Sequence, residues 1–362
     1  MNFLQFGILD ELLHGPEFDE NNVGLTMTHH MEEAELADKL GFDYFFMPEH
    51  QCTPGYAISS ASIIIAILSK TTSRIRIGPM IYLVPLNIPG KLAADISYLD
   101  HLSNGRLEVG LGSGSVPAAL ETFGYAWEKK AEVTFEAMEI MLRAWTGENF
   151  SFKGKHYDYS NYQISLTPLQ KPHPPLWYPT RAFDTIEWLV RNNVSTVQLA
   201  VARSPFVKQL FDHYRKTAEQ LGIQRAGHLG VQRQAVIAET DREALEIARN
   251  DHTMSWKFFF AQYDKVWQTT NLDMKERAKE MFDIDALIEQ NLVLYGSPHT
   301  VAKKILDMEE YFGMDTLLAS FCFGTDTYKY SKKSMKLFSD EVIPIVREEL
   351  AKKSIAQPLT PH

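Results

Sequence analysis

The chain has little cysteine, which excludes a disulfide framework and a cysteine-based structural zinc site as sources of stability. Only Cys52 and Cys322 occur in the 362 residues, so a framework of several disulfides cannot form. No CxxC or Cys/His cluster has the spacing of a structural zinc site. The pair His29–His30 opens a predicted helix, and without nearby carboxylate or thiolate partners it does not indicate a metal either. We therefore expect no metal site.

Long hydrophobic runs and an excess of basic charge are also missing. The most apolar run, Ala61 to Leu68, is far shorter than the roughly 20 residues that cross a bilayer. The first residues include acids and lack the basic region of a secretory signal. The net charge is -10, with both signs mixed along the chain, which disfavours nucleic acid and anionic membranes as partners. A cytoplasmic protein that binds neither is expected.

What the chain does have is the composition of a folded domain, 45% hydrophobic and 23% charged residues. No low-complexity linker, repeat or shift in composition divides it, so residues 1–362 are predicted to form a single domain. Residues from about 253 to 293 are less regular and rich in aromatic, charged and Met residues. Two interpretations remain open for this segment: an extra pair of surface helices, or a mobile lid over an active site.

Short apolar runs alternate with longer amphipathic ones, which predicts a parallel sheet with crossover helices. The predicted strands are Phe3–Leu9, Phe42–Met47, Ile75–Val84, Leu107–Leu111, Leu176–Pro179, Thr196–Val201, Leu229–Ala238 and Thr316–Phe323. The predicted helices include 29–40, 58–68, 90–102, 128–145, 186–192, 206–221 and 298–311, with a hairpin over 152–166. The fold class expected from this order is α/β, a (β/α)8 TIM barrel with insertions, whose active site forms at the C-terminal strand ends.

Three motifs lie at the predicted strand ends. They are MPEHQ at 47–51, GRLEVGLGSG at 105–114 and KPHPPLW at 171–177. Together with FGILDE near the start and GSPHTVAKKI near the end, they resemble the luciferase-like flavin monooxygenases in kind and in order. The resemblance extends from Phe3 to about Phe323, and it depends on five motifs in the correct order rather than on any single one.

The resemblance implies a catalytic role for His50, which would handle protons near a flavin hydroperoxide. A lone histidine is more often a packed or surface residue, but His50 follows a barrel strand and can change its charge near neutral pH. Glu49 beside it has two readings: it orients His50 or contacts the flavin ring, or it caps the following loop. Many relatives have a second histidine where this chain has Gln51, which puts roles shared between paired histidines in doubt.

The glycine-rich turn around Ser113 and Gly114 also has two readings. Its glycines either permit a tight strand-to-helix connection or let backbone N–H groups and Ser113 approach the flavin. It lacks the context of a dinucleotide fingerprint. Many relatives carry an arginine at the Ser113 position and use it against the flavin phosphate, so another group must supply that charge here.

Arg181 is the predicted replacement. Its loop enters a helix, and helix N-termini and guanidinium groups both suit phosphate. The resemblance places the flavin phosphate at this loop, which makes Pro179, Ala182 and Thr185 further cofactor-binding candidates. It also implies that Met80 and Ile81 flank a cis peptide bond beneath the flavin ring.

The implied activity is a monooxygenase that oxidises a small organic substrate with O2 and reduced FMN. No second nucleotide-binding motif is visible, so a separate flavin reductase is expected to deliver the cofactor. A dry chamber is needed around the reacting flavin. Phe6, Tyr82 and a set of lid aromatics are predicted to enclose it. The lid aromatics are Trp256, Phe258, Phe259, Phe260 and Tyr263.

The predicted helix at 58–68 is apolar nearly all round, which indicates burial on more than one side. Barrel packing explains one side, and the resemblance implies a homodimer interface for the other. Two alternative functions stay open: a deazaflavin-dependent oxidoreductase on the same barrel, and a non-catalytic flavin-binding protein. Retention of Glu49 and His50 argues against the second, and nothing in the sequence identifies the substrate.

Overall fold

The computed structural model describes residues 4–11, 23–52, 58–200, 202–224, 226–269 and 279–356. The strands are β1 Gln5–Leu9, β2 Tyr44–Met47, β3 Arg76–Pro79, β4 Tyr82–Leu83, β5 Val109–Gly112, β6 Phe150–Lys153, β7 Asp158–Tyr162, β8 Leu176–Trp177, β9 Thr196–Gln198, β10 Leu229–Ile237, β11 Val293–Gly296 and β12 Thr316–Ser320. The helices are α1 Val23–Leu40, α2 Ala61–Thr71, α3 Pro89–Leu102, α4 Pro117–Thr122, α5 Lys130–Trp145, α6 Ile186–Arg191, α7 Ser204–Gln220, α8 Asp241–Thr269, α9 Ile284–Glu289, α10 Pro298–Phe312, α11 Thr325–Leu337 and α12 Ile343–Ala356.

The architecture is α/β, with a curled parallel sheet. The largest sheet has the order β11-β10-β12-β1-β2-β3, with β9 also paired to β10. Representative registers are Gly7 opposite Tyr44 and Ile8 opposite Ala319, both parallel. A second parallel sheet has the order β4-β5-β8. Because these strands are parallel, their C-terminal ends lie at one edge of the sheet, and the loops that leave them lie side by side.

Alternation along the strands separates two apolar layers. Phe6, Ile8 and Phe45 belong to the large core cluster, which also contains side chains of the surrounding helices. Tyr44 and Phe46, on the opposite face of β2, belong to a smaller cluster. That inner cluster consists of Leu9, Tyr44, Phe46, Met80, Trp177, Val197 and Leu318. Since its members come from strands spread through the sheet, the inner cluster fills the concave side of the curl.

The predicted strand and helix order is confirmed, with differences that have physical causes. The third predicted strand is interrupted at Met80–Ile81 and continues as β4. β11 was not predicted, because it is only four residues long and begins where the irregular segment 253–293 ends. The two helices after residue 323 were not predicted either, because they follow the last strand of the predicted alternation.

The segment from 253 to 293 is largely helical where it is described. α8 continues into it as a helix of 29 residues, and α9 lies near its end. Residues 270–278 lie outside the described residues, as do the side chains of Phe258, Phe259, Phe260 and Tyr263. The choice between a surface helix pair and a mobile lid therefore stays a prediction. Among the described helices, none combines the length and the apolar character needed to cross a membrane.

Replacing Gly78 would test the close packing between β3 and β5. A Cβ atom at Gly78 would overlap the backbone carbonyl oxygen of Glu108, which cannot move without breaking the strand pairing. We expect Gly78→Ala to destabilise the fold by at least about 2 kcal/mol, measured by urea unfolding. Gly24→Ala is the control, because no atom lies within 4 Å of the added Cβ. Equal stability of the two variants would contradict this packing.

Candidate active site

A cavity of about 250 Å³ lies at the edge where the parallel strands end. Its wall consists of residues that follow β1, β2, β3, β5, β8 and β9, together with side chains of β10 and α8. Apolar lining residues include Leu9, Met80, Ile81, Leu83, Val116 and Leu120. The sequence-based expectation that function lies at the strand ends is consistent with this position.

The cavity brings together most of the predicted site residues. Those that line it are Glu49, His50, Met80, Ile81, Ser113, Gly114 and Pro179. Arg181, Ala182 and Thr185 are not among the lining residues, although they follow Pro179 in the same loop. The motifs after β2, β3 and β5 therefore form one site, and the loop after β8 contributes only its first part.

Glu49 is held by backbone donors from two elements. Its Oε2 accepts a hydrogen bond from the N–H of Leu83 at 2.9 Å, and the carboxylate also accepts from the N–H of Ala61 and the amide of Asn87. Ala61 is the first residue of α2. Burial raises the pKa of Glu49 to about 7, although these donors act to lower it. Of its predicted roles, the contacts favour the capping one.

His50 adjoins Glu49 and is held through its backbone. Its N–H donates to the carbonyl of Ile58 at 2.9 Å, and the Gln51 amide donates to the carbonyl of Ser59. Burial lowers the pKa of the His50 imidazole to about 4. The ring is therefore neutral at pH 7, with a proton on one nitrogen and a lone pair on the other.

The peptide bond between Met80 and Ile81 is cis, as the resemblance implied. Two glycines of β5 pack against this bend. A Cβ at Gly110 would overlap the carbonyl oxygen of Pro79, and one at Gly112 would overlap the Ile81 side chain. The close approach of β5 to the cis bend thus requires glycine at position 110, where the obstacle is backbone, whereas at Gly112 it is the end of a side chain.

The turn after Gly112 carries polar groups of the cavity wall. The Ser113 hydroxyl forms a hydrogen bond with the hydroxyl of Tyr178, and burial raises the pKa of that phenol. Gly114 has φ of +78°, which favours glycine, and its carbonyl oxygen accepts a hydrogen bond from Lys130 Nζ at 3.0 Å. Lys130 was not a sequence candidate, because it lies sixteen residues further on, in the helix predicted at 128–145.

The loop with Arg181 extends along the protein surface. Arg181 is exposed, and its guanidinium carbon lies 5.4 Å from the centroid of the Phe206 ring. Thr185 donates its N–H to the carbonyl of Ala182 and precedes α6, a helix of six residues. Arg181 therefore lies outside the described lining of the cavity.

Sequence reasoning missed five polar residues of the cavity wall, which are Glu11, Ser115, Gln232, Gln234 and Ser255. Glu11 lines it, and burial together with the neighbouring Asp10 raises the pKa of Glu11 to about 7. Gln232 accepts from the N–H of Ala200 at 3.0 Å, and Gln234 also lines the cavity. The signal was present: polar residues alternate in the apolar strand sequence GVQRQAVI, which places both glutamines on one face.

Phe6 and Tyr82, which were predicted to enclose the flavin, do not line the cavity. Phe6 packs edge-on against Phe338 in the core between sheet and helices, and Tyr82 is buried with its hydroxyl 2.8 Å from Ser62 Oγ. That prediction is wrong because both side chains lie on the strand face directed towards the helices. Trp256 of α8 does line the cavity.

His30 has carboxylate partners that the sequence reading did not anticipate. Its Nδ1 lies 2.7 Å from Asp10 Oδ2 and 3.6 Å from Glu33 Oε2. Burial alone would lower the pKa of His30, but the two carboxylates raise it to about 10. The three groups lie close enough together to be metal ligands, so the expectation of no partners was wrong. A protonated His30 pairs with these carboxylates without a metal ion.

A sequence model described as luciferase-like monooxygenase matches residues 4–316. The chain belongs to the luciferase-like monooxygenase family. The predicted family and enzyme class, a flavin-dependent monooxygenase, are thereby confirmed.

The alignments with curated relatives include most of this chain. It is 30% identical over 89% of its length to the uncharacterized protein y4wF of Sinorhizobium fredii, covering 91% of that protein. It is 23% identical to the oxygenase component of a flavin-dependent trigonelline monooxygenase of Acinetobacter baylyi, with 88% of this chain and 89% of the relative covered. Both matches extend over almost nine tenths of this chain and about nine tenths of each relative.

Solved structures of the same fold include two kinds of enzyme. The oxygenating constituent of 3,6-diketocamphane monooxygenase from Pseudomonas putida, in complex with FMN, has a TM-score of 0.78 at 22% identity over 95% of this chain and 98% of that one. The coenzyme F420-dependent tetrahydromethanopterin reductase of Methanopyrus kandleri has a TM-score of 0.67 at 17% identity over 94% and 99%. At these identities the likeness concerns the fold.

The buried Glu49 carboxyl should make stability depend on pH. Its pKa is raised from 4.5 to about 7 on folding, so its contribution to stability is present below pH 4.5 and lost as the pH rises to about 7. We expect wild type to lose about 1–3 kcal/mol more than Glu49→Gln across this window, measured by urea unfolding.

Glu121→Gln is the matched control, since Glu121 is exposed. Its stability should follow wild type at every pH. If Glu49→Gln and wild type change in parallel between pH 4.5 and 7, the carboxyl is not buried as the structure shows it.

Proposed function

We propose that this chain is the oxygenase component of a two-component system that uses reduced FMN and O2 to oxidise a small organic substrate. The observation that carries the proposal is the cavity itself, where Met80, Ile81 and a neutral His50 share one largely apolar wall. A flat, mostly apolar ring with polar edges fits such a wall.

The residues present fit a flavin. Met80, Ile81 and Leu83 offer an apolar surface, and Ser113 with Gly114 offers polar groups at the adjoining turn. Gln232 and Gln234 add amides on the β10 side. FMN, when bound, supplies the electrons and the atom at which O2 reacts. The protein supplies the surface that orients the ring and the walls that exclude water.

His50 is the proposed proton-transfer residue. Because its imidazole is neutral at pH 7, the unprotonated ring nitrogen accepts a proton and the other nitrogen donates a hydrogen bond. Glu49 acts on His50 indirectly: its carboxylate fixes the strand end that carries His50 to β4 and to the start of α2.

We further propose that the curled sheet closes into the full (β/α)8 barrel. Two isolated parallel bridges support closure. Ile77 pairs with Leu107, which joins β3 to the chain entering β5, and Trp177 pairs with Ser195, which joins β8 to the chain entering β9. With these links, β1, β2, β3, β5, β8, β9, β10 and β12 follow one another in a ring.

A deazaflavin-dependent oxidoreductase is the second candidate, because a coenzyme F420-dependent reductase shares the fold. The curated oxygenase relatives favour FMN and a partner reductase. The two candidates differ in one property: an oxygenase reacts with O2 in its reduced state, whereas a hydride-transfer enzyme does not incorporate oxygen.

Mixing photoreduced FMN and the protein with oxygenated buffer in a stopped-flow instrument tests the function. We expect a transient absorbance signal that free FMN lacks, and a lower yield of hydrogen peroxide than from free FMN. In His50→Ala the transient should decay at least about tenfold faster, the scale of lost proton-transfer assistance. His101→Ala, an exposed histidine on α3, is the control.

Absence of any transient with reduced FMN, together with tight binding of a deazaflavin, would favour the second candidate. Turnover of NADH by the purified chain with FMN alone would contradict the two-component arrangement.

A homodimer is also proposed. α2 buries Ala61, Ile65 and Leu68 against the fold, but Ile63 and Ile67 remain 63% and 41% exposed. A second copy of the chain covers these side chains, in agreement with the two-sided apolar character of the helix.

Ile63→Lys should convert the dimer into a monomer, since a charge in an apolar interface disfavours association. Light scattering at micromolar concentration measures the change. Tyr311→Lys, on an exposed residue of α10, is the control and should leave the dimer intact. A wild-type monomer would contradict the proposal.

A further inference from the structure

Two acids are among the described residues that line the cavity, and they differ in how their oxygens are bonded. Glu49 accepts hydrogen bonds from the N–H groups of Leu83 and Ala61 and from the Asn87 amide. Glu11, the second residue after β1, also lines the cavity, but among the described residues no donor or basic group bonds to its carboxyl. An unpaired carboxyl in a cavity wall can bind a ligand that offers a donor or a positive charge.

The surroundings of Glu11 are negative. The neighbouring Asp10 pairs with the protonated His30 at 2.7 Å, and Glu33 lies 3.6 Å from the same ring nitrogen. Two carboxylates around one imidazolium leave this cluster negative. Burial and the charge of Asp10 raise the pKa of Glu11 to about 7. The ionised form of Glu11 is therefore stabilised when a cation binds beside it.

The described wall of the cavity has no permanent positive charge to balance Glu11. It contains neither lysine nor arginine, and His50 is neutral at pH 7. Lys130 bonds to the Gly114 carbonyl after β5, a strand that lies beyond β2 and β3 from the end of β1. Trp256 adds an aromatic face to the lining, a surface to which organic cations bind. A cation is therefore favoured near Glu11, and an anion is repelled.

The order of the strands places Glu11 on the opposite side of His50 from the proposed flavin surface. β2, the strand that precedes His50, lies between β1 and β3. Met80 and Ile81 follow β3, so Glu11 is two strand spacings away from them, about 10 Å. A small molecule of this length reaches Glu11 with one end and the flavin surface with the other, and His50 lies beside it.

We propose that the cavity takes a substrate with a positively charged nitrogen, an ammonium group, and that the Glu11 carboxylate binds this group. The inference rests on the proposed function and names the class of its substrate. The charged nitrogen lies at the end of β1, and the part of the molecule that is oxidised lies towards Met80 and Ile81. Neutral molecules of the same shape bind more weakly, and Glu11 disfavours carboxylates.

Three small aromatic probes of similar shape test the charge preference: benzylamine, a cation at pH 8, benzyl alcohol, which is neutral, and benzoate, an anion. At pH 8 Glu11 is ionised. Dissociation constants are measured anaerobically by calorimetry, with the full chain and photoreduced FMN. We expect wild type to bind benzylamine at least about tenfold more tightly than benzyl alcohol, and benzoate more weakly than either.

Variants of Glu11 show whether this carboxyl is the cause. In Glu11→Gln the preference for benzylamine should fall to within about twofold, with the affinity for benzyl alcohol unchanged, because the amide keeps the shape and loses the charge. Glu11→Asp should keep part of the preference, since it retains the carboxylate. Glu121→Gln removes an exposed acid and is the control, which should leave every constant unchanged.

Reduced FMN is titrated against the same variants, because the flavin ring also carries N–H groups. Its dissociation constant should stay within about twofold in Glu11→Gln. A loss of FMN binding in this variant would assign the carboxyl to the flavin and overturn the inference. If Glu49→Gln abolishes the preference for benzylamine and Glu11→Gln does not, the cation binds at Glu49 and the inference is wrong.

The measurements on wild type separate this inference from the proposed function. If wild type binds reduced FMN and shows no preference for benzylamine, or binds none of the three probes, only the inference fails. If wild type binds no reduced FMN, the proposed function fails and the inference with it.

Discussion

The close approach of β5 to the end of β3 is the constraint on which the rest of the site depends. Gly78, Gly110 and Gly112 have no side chains, and a Cβ at any of them would overlap the opposing strand or the cis bend. This contact fixes the position of Met80 and Ile81 in the wall of the cavity. It also fixes where Ser113 and Gly114 leave the sheet, so the floor and one wall of the cavity are set by a single packing requirement.

A second layer of organisation is electrostatic. The cavity holds two carboxyls, Glu11 and Glu49, whose pKa values are raised by burial, and a histidine whose pKa is lowered by burial. All three shifts disfavour charge. At pH 7 the two carboxyls are therefore only partly ionised and His50 is neutral, while the positive charge of Lys130 lies at the turn after β5.

Much of this arrangement could be predicted from the sequence. The alternation of strands and helices was sufficient to predict an α/β fold with a parallel sheet, and the motif at 47–51 placed Glu49 and His50 at a strand end. What could not be predicted depends on contacts distant in sequence. The capping of α2 by Glu49 needs the fold to bring Ala61 to it, and the hydrogen bond from Lys130 to Gly114 needs α5 to return to the turn. Phe6 and Tyr82 were misplaced because aromatic character does not tell which face of a strand it occupies.

The hydrogen bonds of the two glutamines of β10 determine which residues of the cavity wall tolerate substitution. The Gln232 amide is fixed at both ends, accepting from Ala200 N–H and donating to Ser320 Oγ at 2.8 Å. Gln234 accepts from the hydroxyl of Tyr295 at 2.9 Å, which is itself bonded to His252. Replacing either glutamine leaves its buried partners without a hydrogen bond. Val116, Leu120 and Leu199 also line the cavity, but their side chains form no hydrogen bonds. Substitutions that reshape the cavity are therefore better tolerated at these apolar residues than at the two glutamines.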